Sequence, residues 1–351
     1  MSMIHLCEMG LRRVRYLYSR DELMAQDFID IASGIIEAVV VRNFVEDKIC
    51  LQASERLVDI AERTPETSGT PGVKRLLGQC FSDTKGNHRA RSFYVEYAIA
   101  EHARIQHIFA PYTCPPDSLI ALLSEKFPSG ASLISTKDGR KLSSGIVQQL
   151  NGDVLGHENK LERDANPEDF PEDFYGASQI AGHVYVDVPL VGGELILWKK
   201  SLDQQTYDSM RGDSHGISFP SIGLPEVVLK PQRGDLILFN SRNLHATRGV
   251  PTLPKVEEVE EDEDEEYEDE ESDDEDMDEE AELRIINGGQ GPACDQLSTT
   301  ACSETARRGK FATPPLAPIR TVRKAPSLGN SLALSTFILL RDPCKPILFW
   351  S

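Results

Sequence analysis

This chain lacks most of the features that assign a class at sight. No run of ~18 apolar residues, the length that crosses a bilayer, occurs in its 351 residues, so no membrane span and no membrane partner are expected. Its seven cysteines (Cys7, Cys50, Cys80, Cys114, Cys294, Cys302 and Cys344) are odd in number, and no two have C-x-x-C spacing. That argues against a secreted disulfide framework and against a structural zinc site, and for reduced structural thiols in a reducing compartment. The opening MSMIHLCEMGLRRVRYLYSRDE has no apolar core before its charges begin, so a signal peptide is not expected and a cytoplasmic or nuclear location is. A basic excess is missing too. The net charge is −20, but 21 acidic residues and no basic one lie between Glu257 and Glu282, and without them the balance is +1. A near-neutral body offers no nucleic-acid footprint.

What is present divides into three textures. DELMAQDFIDIASGIIEA has apolar residues at helical spacing, and residues 1–35 read as an N-terminal helical extension. AVVVRNF reads as a buried strand, and EDKICLQASERLVDIAER as a helix. Residues 64–91, rich in Gly, Thr, Pro and Ser, read as a loop. FYVEYAIAEHARIQHIFA and DSLIALLSEKF read as two helices parted by PYTCPP. From about residue 142 the runs become short and β-rich (SSGIVQQL, AGHVYVDVPL, GELILW, EVVLKP, GDLILFN), and they resume in SLALSTFILL and PILFWS. Short strands with turn signals between them predict a barrel or sandwich. Between them, 251–327 holds the acidic tract and then a Ser/Thr/Pro-rich piece with scattered basic residues. Neither part buries enough apolar surface to offset its ordering entropy, so this reads as a disordered insertion inside one domain, spanning 36–250 and 328–351. The acidic tract is either a solvated segment or an electrostatic lure for basic proteins.

Three stretches bear chemistry: NGDVLGHEN at 151–159, VDVPLVGGELILW at 186–198, and RGDLILFNSRNLHATRGV at 233–250. His245 follows a strand and a polar loop, a place from which a histidine can reach into a barrel mouth. A lone histidine is more often structural, but His157 follows GDVL in the same way, with Glu158 and Asn159 behind it. Two histidines from separate strands with a nearby carboxylate describe a 2-His-1-carboxylate site, which leaves positions open on iron(II) for co-substrate and oxygen. His183 and Asp187 stand four apart on one strand and so share a face, a spacing that suggests metal, although the family resemblance described below implies a substrate-pocket or core role for them. Trp198 and Trp350 read as packing residues.

The order of these pieces resembles the prolyl-4-hydroxylase-like branch of the iron(II)/2-oxoglutarate dioxygenases. AVVVRNFVEDKIC is similar to that family's opening strand and helix, GDVLGHEN to the approach to the first iron histidine, and VYVDVPLVGGELILW to the central strand pair. RGDLILFNSRNLHATRGV is similar to the strand delivering the second histidine, and SLALSTFILLRDPCKPILFWS to the closing strand. The resemblance covers about 36–250 and 328–351. It implies a double-stranded β-helix (jelly roll), mainly β with flanking α-helices packed on it. It also implies iron(II) and 2-oxoglutarate as cofactors with ascorbate as an accessory, and hydroxylation of a protein side chain or small molecule.

By position the resemblance makes His157 and His245 the iron histidines and puts Asn159 where the family carries its carboxylate. An amide oxygen is a neutral, weaker ligand. Glu158 is the adjacent substitute carboxylate, though strand parity points it the other way; Asp153 and Glu162 are farther. The family's 2-oxoglutarate base on the closing strand falls at Asn330-Ser331, so Ser331 and the nearest basic residue, Arg248, stand as the co-substrate-binding candidates, with Arg323 and Arg341 behind them. These departures leave a second reading open, a relative without catalysis that acts as a binding module.

Overall fold

Runs of Val, Ile, Leu and Phe set the frame of the molecule. The computed structural model describes residues 13–65, 71–160, 170–250, 330–341 and 345–351. In chain order these form β1 (Val14–Leu17), α1 (Ala25–Ala32), β2 (Ala38–Val41), α2 (Asp47–Arg63), β3 (Val73–Leu77), α3 (His88–Phe109), α4 (Pro115–Lys126), β4 (Ala131–Leu133), β5 (Ile146–Leu150) and β6 (Val154–His157). There follow β7 (Ser178–Asp187), β8 (Leu195–Leu197), α5 (Gln204–Arg211), α6 (Phe219–Ile222), β9 (Val227–Leu229), β10 (Leu236–Asn240), β11 (His245–Thr247), β12 (Leu332–Leu340) and β13 (Ile347–Trp350). None of the described helices is long and apolar enough to cross a membrane.

The strands make two sheets. The larger runs β1-β2-β10-β7-β12-β13-β4, with β5 beside β12 and β3 beside β5. The smaller runs β6-β11-β8-β9. From β5 to β12 the chain passes back and forth between them. β12 pairs with β7 along its whole length, while β5 and β13 share its other edge end to end.

Both faces of the large sheet are covered, which is why its strands are apolar at almost every position. One face (Val39, Val41, Val184, Leu236, Leu238, Leu334, Ile338) packs on Phe28 and Ile31 of α1, Leu57 of α2, Ile105 of α3 and Leu123 of α4. The alternate residues (Val40, Tyr185, Ile237, Phe239, Ala333, Phe337) turn toward Leu195, Leu197, Val227 and Leu229 of the small sheet. Behind the small sheet, Ile196, Trp198 and Ala246 pack on Tyr207 of α5 and Ile222 of α6. Each fully buried Leu, Ile or Phe contributes about 1.5–3 kcal/mol before chain entropy is counted.

Three local expectations change. The helix expected in DELMAQDFIDIASGIIEA stops at Ala32, because Gly34 takes the left-handed conformation at φ 70°. Within the expected helical extension, residues 14–17 are a strand that pairs in parallel with β2, so they belong to the large sheet. The stretch 64–91 is not all loop: β3 lies in it and pairs antiparallel with β5. Its alternation is masked in the sequence by the Gly, Thr and Pro around it, and cross-strand pairing outweighs that local signal. The insertion at 251–327, with the acidic tract and Arg323, and Glu162 at 161–169, lie outside the described residues.

Candidate metal centre

The small sheet presents the two histidines. His157 ends β6 and His245 begins β11, and the two are direct register partners. Their ring centroids lie 4.1 Å apart with the planes tilted at 57°. A register shift follows at once, so that Thr247 meets Val154; the bulge turns the pair into the space between the sheets. Gly156 fixes the height of β6. A Cβ there would stand 2.2 Å from Ile222 Cδ1 and 3.2 Å from Ile217 O, so a side chain would have to turn the end of Ile222 aside and ease β6 from Ile217 by a few tenths of an ångström.

Each imidazole is oriented through Nδ1. His157 Nδ1 donates to Leu155 O at 3.0 Å, and His245 Nδ1 donates to Asn243 O at 2.8 Å. That leaves the lone pair on Nε2 of both rings. Asn159 lies beside them: its Nδ2 donates to His245 Nε2 at 3.2 Å, and its backbone N–H is tied to Ser241 O at 2.8 Å. Burial pushes both imidazoles below the usual histidine range, and for His245 the neighbouring His157 adds to the effect. Both rings are therefore neutral at pH 7, the form a metal requires.

His157 and Asn159 open onto a cavity of roughly 380 Å³ between the sheets, while His245 sits behind them, 1% exposed. The cavity floor is the large sheet. One cross-strand row runs Arg75–Gln148–Ala333–Tyr185, each residue the register partner of the next. The row beside it runs Ile146–Ser335–His183. Members of both rows line the cavity. His183 has its pKa lowered to about 3, first by burial and then by the nearby His157. It stacks edge-on against Phe239, which in turn contacts His245. His183 and Asp187 do not share a face. A register shift in the pairing at Leu332/Ala333 intervenes, and Asp187 points to the helix side, where it accepts from Ser54 at 3.2 Å and pairs with Arg233 at 2.8 Å.

The remaining sequence candidates lie elsewhere. Glu158 is turned away from the histidines, as strand parity dictates. Its carboxylate pairs with Lys160 Nζ at 2.8 Å and accepts from Leu202 N at 2.5 Å, so it is committed to a buried ion pair and does not substitute for the missing carboxylate. Asp153 lines the cavity, with Oδ1 accepting from Gly249 N at 2.6 Å. Arg248 is exposed, Ser331 is 3% exposed, and neither lines the cavity. Arg341 pairs with Asp173 at 3.1 Å and lies over Phe174. Arg75 and Tyr185, which also line the cavity, were not among the sequence candidates. Arg75 sat in a presumed loop, and Tyr185 in a strand read for its neighbours.

A second group of metal-capable side chains lies on the helices. Among the described residues, His102, Cys114 and Asp117 are the three His, Cys, Asp or Glu side chains whose ligand atoms all fall within 4.8 Å of one another. His102 Nε2 donates to Asp117 Oδ1 at 3.0 Å and its Nδ1 meets Ser144 Oγ. Cys114 Sγ donates to Asp117 Oδ2 at 3.2 Å, and Gln106 Nε2 donates to the same oxygen at 2.7 Å. Burial pushes the Cys114 thiol up to about 12, so it stays protonated.

No family model matches this sequence, and no curated protein matches it. Among solved structures, an N-substituted L-amino acid dioxygenase from Burkholderia ambifaria superposes with a TM-score of 0.48 at 10% identity, over 93% of this chain and 91% of that one. HygX from Streptomyces hygroscopicus, with nickel and 2-oxoglutarate bound, gives 0.34 at 14% identity over 64% and 81%. The non-heme alpha-ketoglutarate-dependent epimerase SnoN from nogalamycin biosynthesis gives 0.33 at 13% over 63% and 74%. Likenesses this distant decide nothing about what the chain binds; its own side chains have to.

Proposed function

We propose that this chain is an iron(II)/2-oxoglutarate-dependent dioxygenase built on a double-stranded β-helix, with His157, His245 and Asn159 as its metal-binding side chains. The observation that carries the reading is the pairing of His157 with His245 across β6 and β11, 4.1 Å between ring centroids. The shuttling of β5–β12 between two sheets supports the β-helix.

The residues fit a divalent ion. Two neutral imidazoles with Nδ1 held by backbone carbonyls present Nε2, and rotation of the Asn159 amide would present Oδ1 in place of Nδ2. Two imidazoles and one neutral oxygen leave positions open, as oxygen chemistry needs. When bound there, iron(II) and 2-oxoglutarate supply oxidative chemistry: O2 is consumed, 2-oxoglutarate becomes succinate and CO2, and one oxygen atom enters a substrate C–H bond. The chain's own part is to hold and shield. Phe337, Ile146 and Leu155 line the cavity with apolar surface, which limits water at the reacting centre. The backbone tie from Asn159 N to Ser241 O holds the amide beside His245. A cavity of this size accommodates the keto acid and a small group, either a small molecule or one protein side chain.

The test is an anaerobic titration of the metal-free protein with iron(II) and 2-oxoglutarate, read by visible charge-transfer absorption and then by succinate release on admitting air. A band and succinate are expected. A folded protein that binds neither component at millimolar concentration sinks the reading. One observation favours a second reading, a binding module without turnover: Asn159 replaces an anionic ligand, and the adjacent Glu158 is held by Lys160. Under it, the band would form without succinate.

A further inference from the structure

Resting on the dioxygenase reading, we infer that the buried Glu158–Lys160 ion pair is a positioning lock, which together with residues 198–202 sets His157 and Asn159 at a fixed attitude to His245. Strand parity sends the side chains of 157–160 alternately to two sides. His157 and Asn159 open onto the cavity. Glu158 and Lys160 point away from it, their side chains 0% and 9% exposed. Both reach the backbone of one residue. Glu158 Oε1 accepts from Leu202 N at 2.5 Å, Lys160 Nζ donates to Leu202 O at 2.7 Å, and the two side chains meet at 2.8 Å to close the ring.

The same segment holds the other histidine. Leu244, just before His245, donates its N–H to Lys200 O at 2.7 Å and accepts from Trp198 N at 3.0 Å. Residues 198–202 thus grip both histidine-bearing stretches, one through the backbone and the other through the ion pair. They are themselves fixed: Trp198 and Leu202 pack in the apolar cluster behind the small sheet, and Leu202 leads into Asp203, the N-cap of α5, which accepts from Thr206 N at 2.9 Å. The lock acts where the ladder stops. β6 ends at His157, and beyond it the cavity side supplies one backbone–backbone bond, Asn159 N to Ser241 O. Stability does not account for the pair. Taking two charges out of water is costly, and well-packed apolar side chains in their place are often neutral or stabilising. What the pair adds is direction, two charge-assisted bonds to the N–H and the C=O of one residue.

The experiment replaces the pair in the full chain by apolar side chains of similar length, E158M/K160M. Both change together because a single substitution leaves one buried charge without its partner, which destabilises. Cobalt(II) stands in for iron(II) under argon, and deuterium exchange at the Asn159 amide is followed in the metal-free protein. The double variant is expected to melt at or above the wild-type temperature, to bind cobalt(II) about tenfold more weakly, and to exchange the Asn159 amide about tenfold faster. A merely structural pair predicts instead that affinity and exchange follow the melting temperature, and that result overturns the inference, as does a variant that melts like wild type and keeps both wild-type values. Should E158M/K160M fail to fold, E158Q asks the same question. Its amide keeps an acceptor for the Leu202 N–H but no charge for Lys160, so a change of about threefold in both quantities is expected, and unchanged values overturn the inference. Failure of the dioxygenase reading shows separately, as cobalt(II) affinity that H157A/H245A does not diminish. The metal-free exchange then decides alone: faster exchange at Asn159 with an undiminished melting temperature supports the lock, and wild-type exchange overturns it.

Discussion

Two regions of this molecule bring metal-capable side chains together, and they differ in what those side chains have left to offer. On the helices, His102, Cys114 and Asp117 satisfy one another: both ring nitrogens of His102 are engaged, and Asp117 receives Cys114 and Gln106 as well. Between the sheets, His157 and His245 spend Nδ1 on backbone carbonyls; His157 opens onto the cavity, and His245 behind it receives only the Asn159 amide on Nε2. The helical group meets a distance criterion for a metal site, yet a cation there would have to displace its hydrogen bonds and deprotonate a thiol raised to about 12. Proximity of ligand atoms is the weaker signal. Imidazole nitrogens next to a cavity, with no partner beyond a side-chain amide that can rotate, are the stronger one.

The sharpest way to break this comparison is to remove each set in turn. H157A/H245A is expected to cut cobalt(II) affinity on the order of 100-fold or more, since both nitrogen donors go. H102A should leave that affinity within about twofold and instead lower stability by about 1–3 kcal/mol, because the buried hydroxyl of Ser144 and the carboxylate of Asp117 lose a partner. Isothermal titration and urea unfolding read the two effects. If H102A removes the metal and the double variant does not, the comparison inverts.

A smaller effect tests the third ligand. N159D places an anionic oxygen where the neutral amide now sits 3.2 Å from His245 Nε2, and divalent cations favour anionic oxygen. Cobalt(II) should bind about tenfold more tightly to N159D. Succinate release per mole of protein should rise with it. A variant that binds metal no better than wild type would mean that residue 159 does not face the ion.

Much of this site was legible in the residues themselves. His157 and His245 stood out because each follows a Gly-Asp turn and a short strand, and the sheet pairs them as partners. The strands of 146–240 and 332–350 were legible because burial on both faces leaves unbroken apolar runs. What was not legible depends on pairing over long sequence separation. Arg75 gains its place only because β3 adds to β5, a contact that no local propensity announces. Asp187 leaves the face of His183 only because of a register shift in β12 pairing. Ser331 and Arg248 were proposed from position along the chain, and the cavity wall passes both by.

His183 offers the mildest test of the contrast, through pH. Its imidazole is held near a pKa of about 3 in the native protein by burial and by His157, against roughly 6.5 in an unfolded chain. Between these values the unfolded state binds a proton that the native state refuses, so stability rises with pH across that window and is lost as pH falls from 6.5 toward 3. His157 and His245 are shifted in the same direction and add to the slope. The metal-free H183F variant keeps the ring against Phe239 but cannot protonate. Its unfolding free energy should depend on pH less steeply than wild type between about 4 and 6, by about 1.4 kcal/mol per pH unit for one proton. Equal slopes for wild type and H183F would mean that His183 is protonated in the native protein, and the neutral, cavity-facing cluster would have to be redrawn without it.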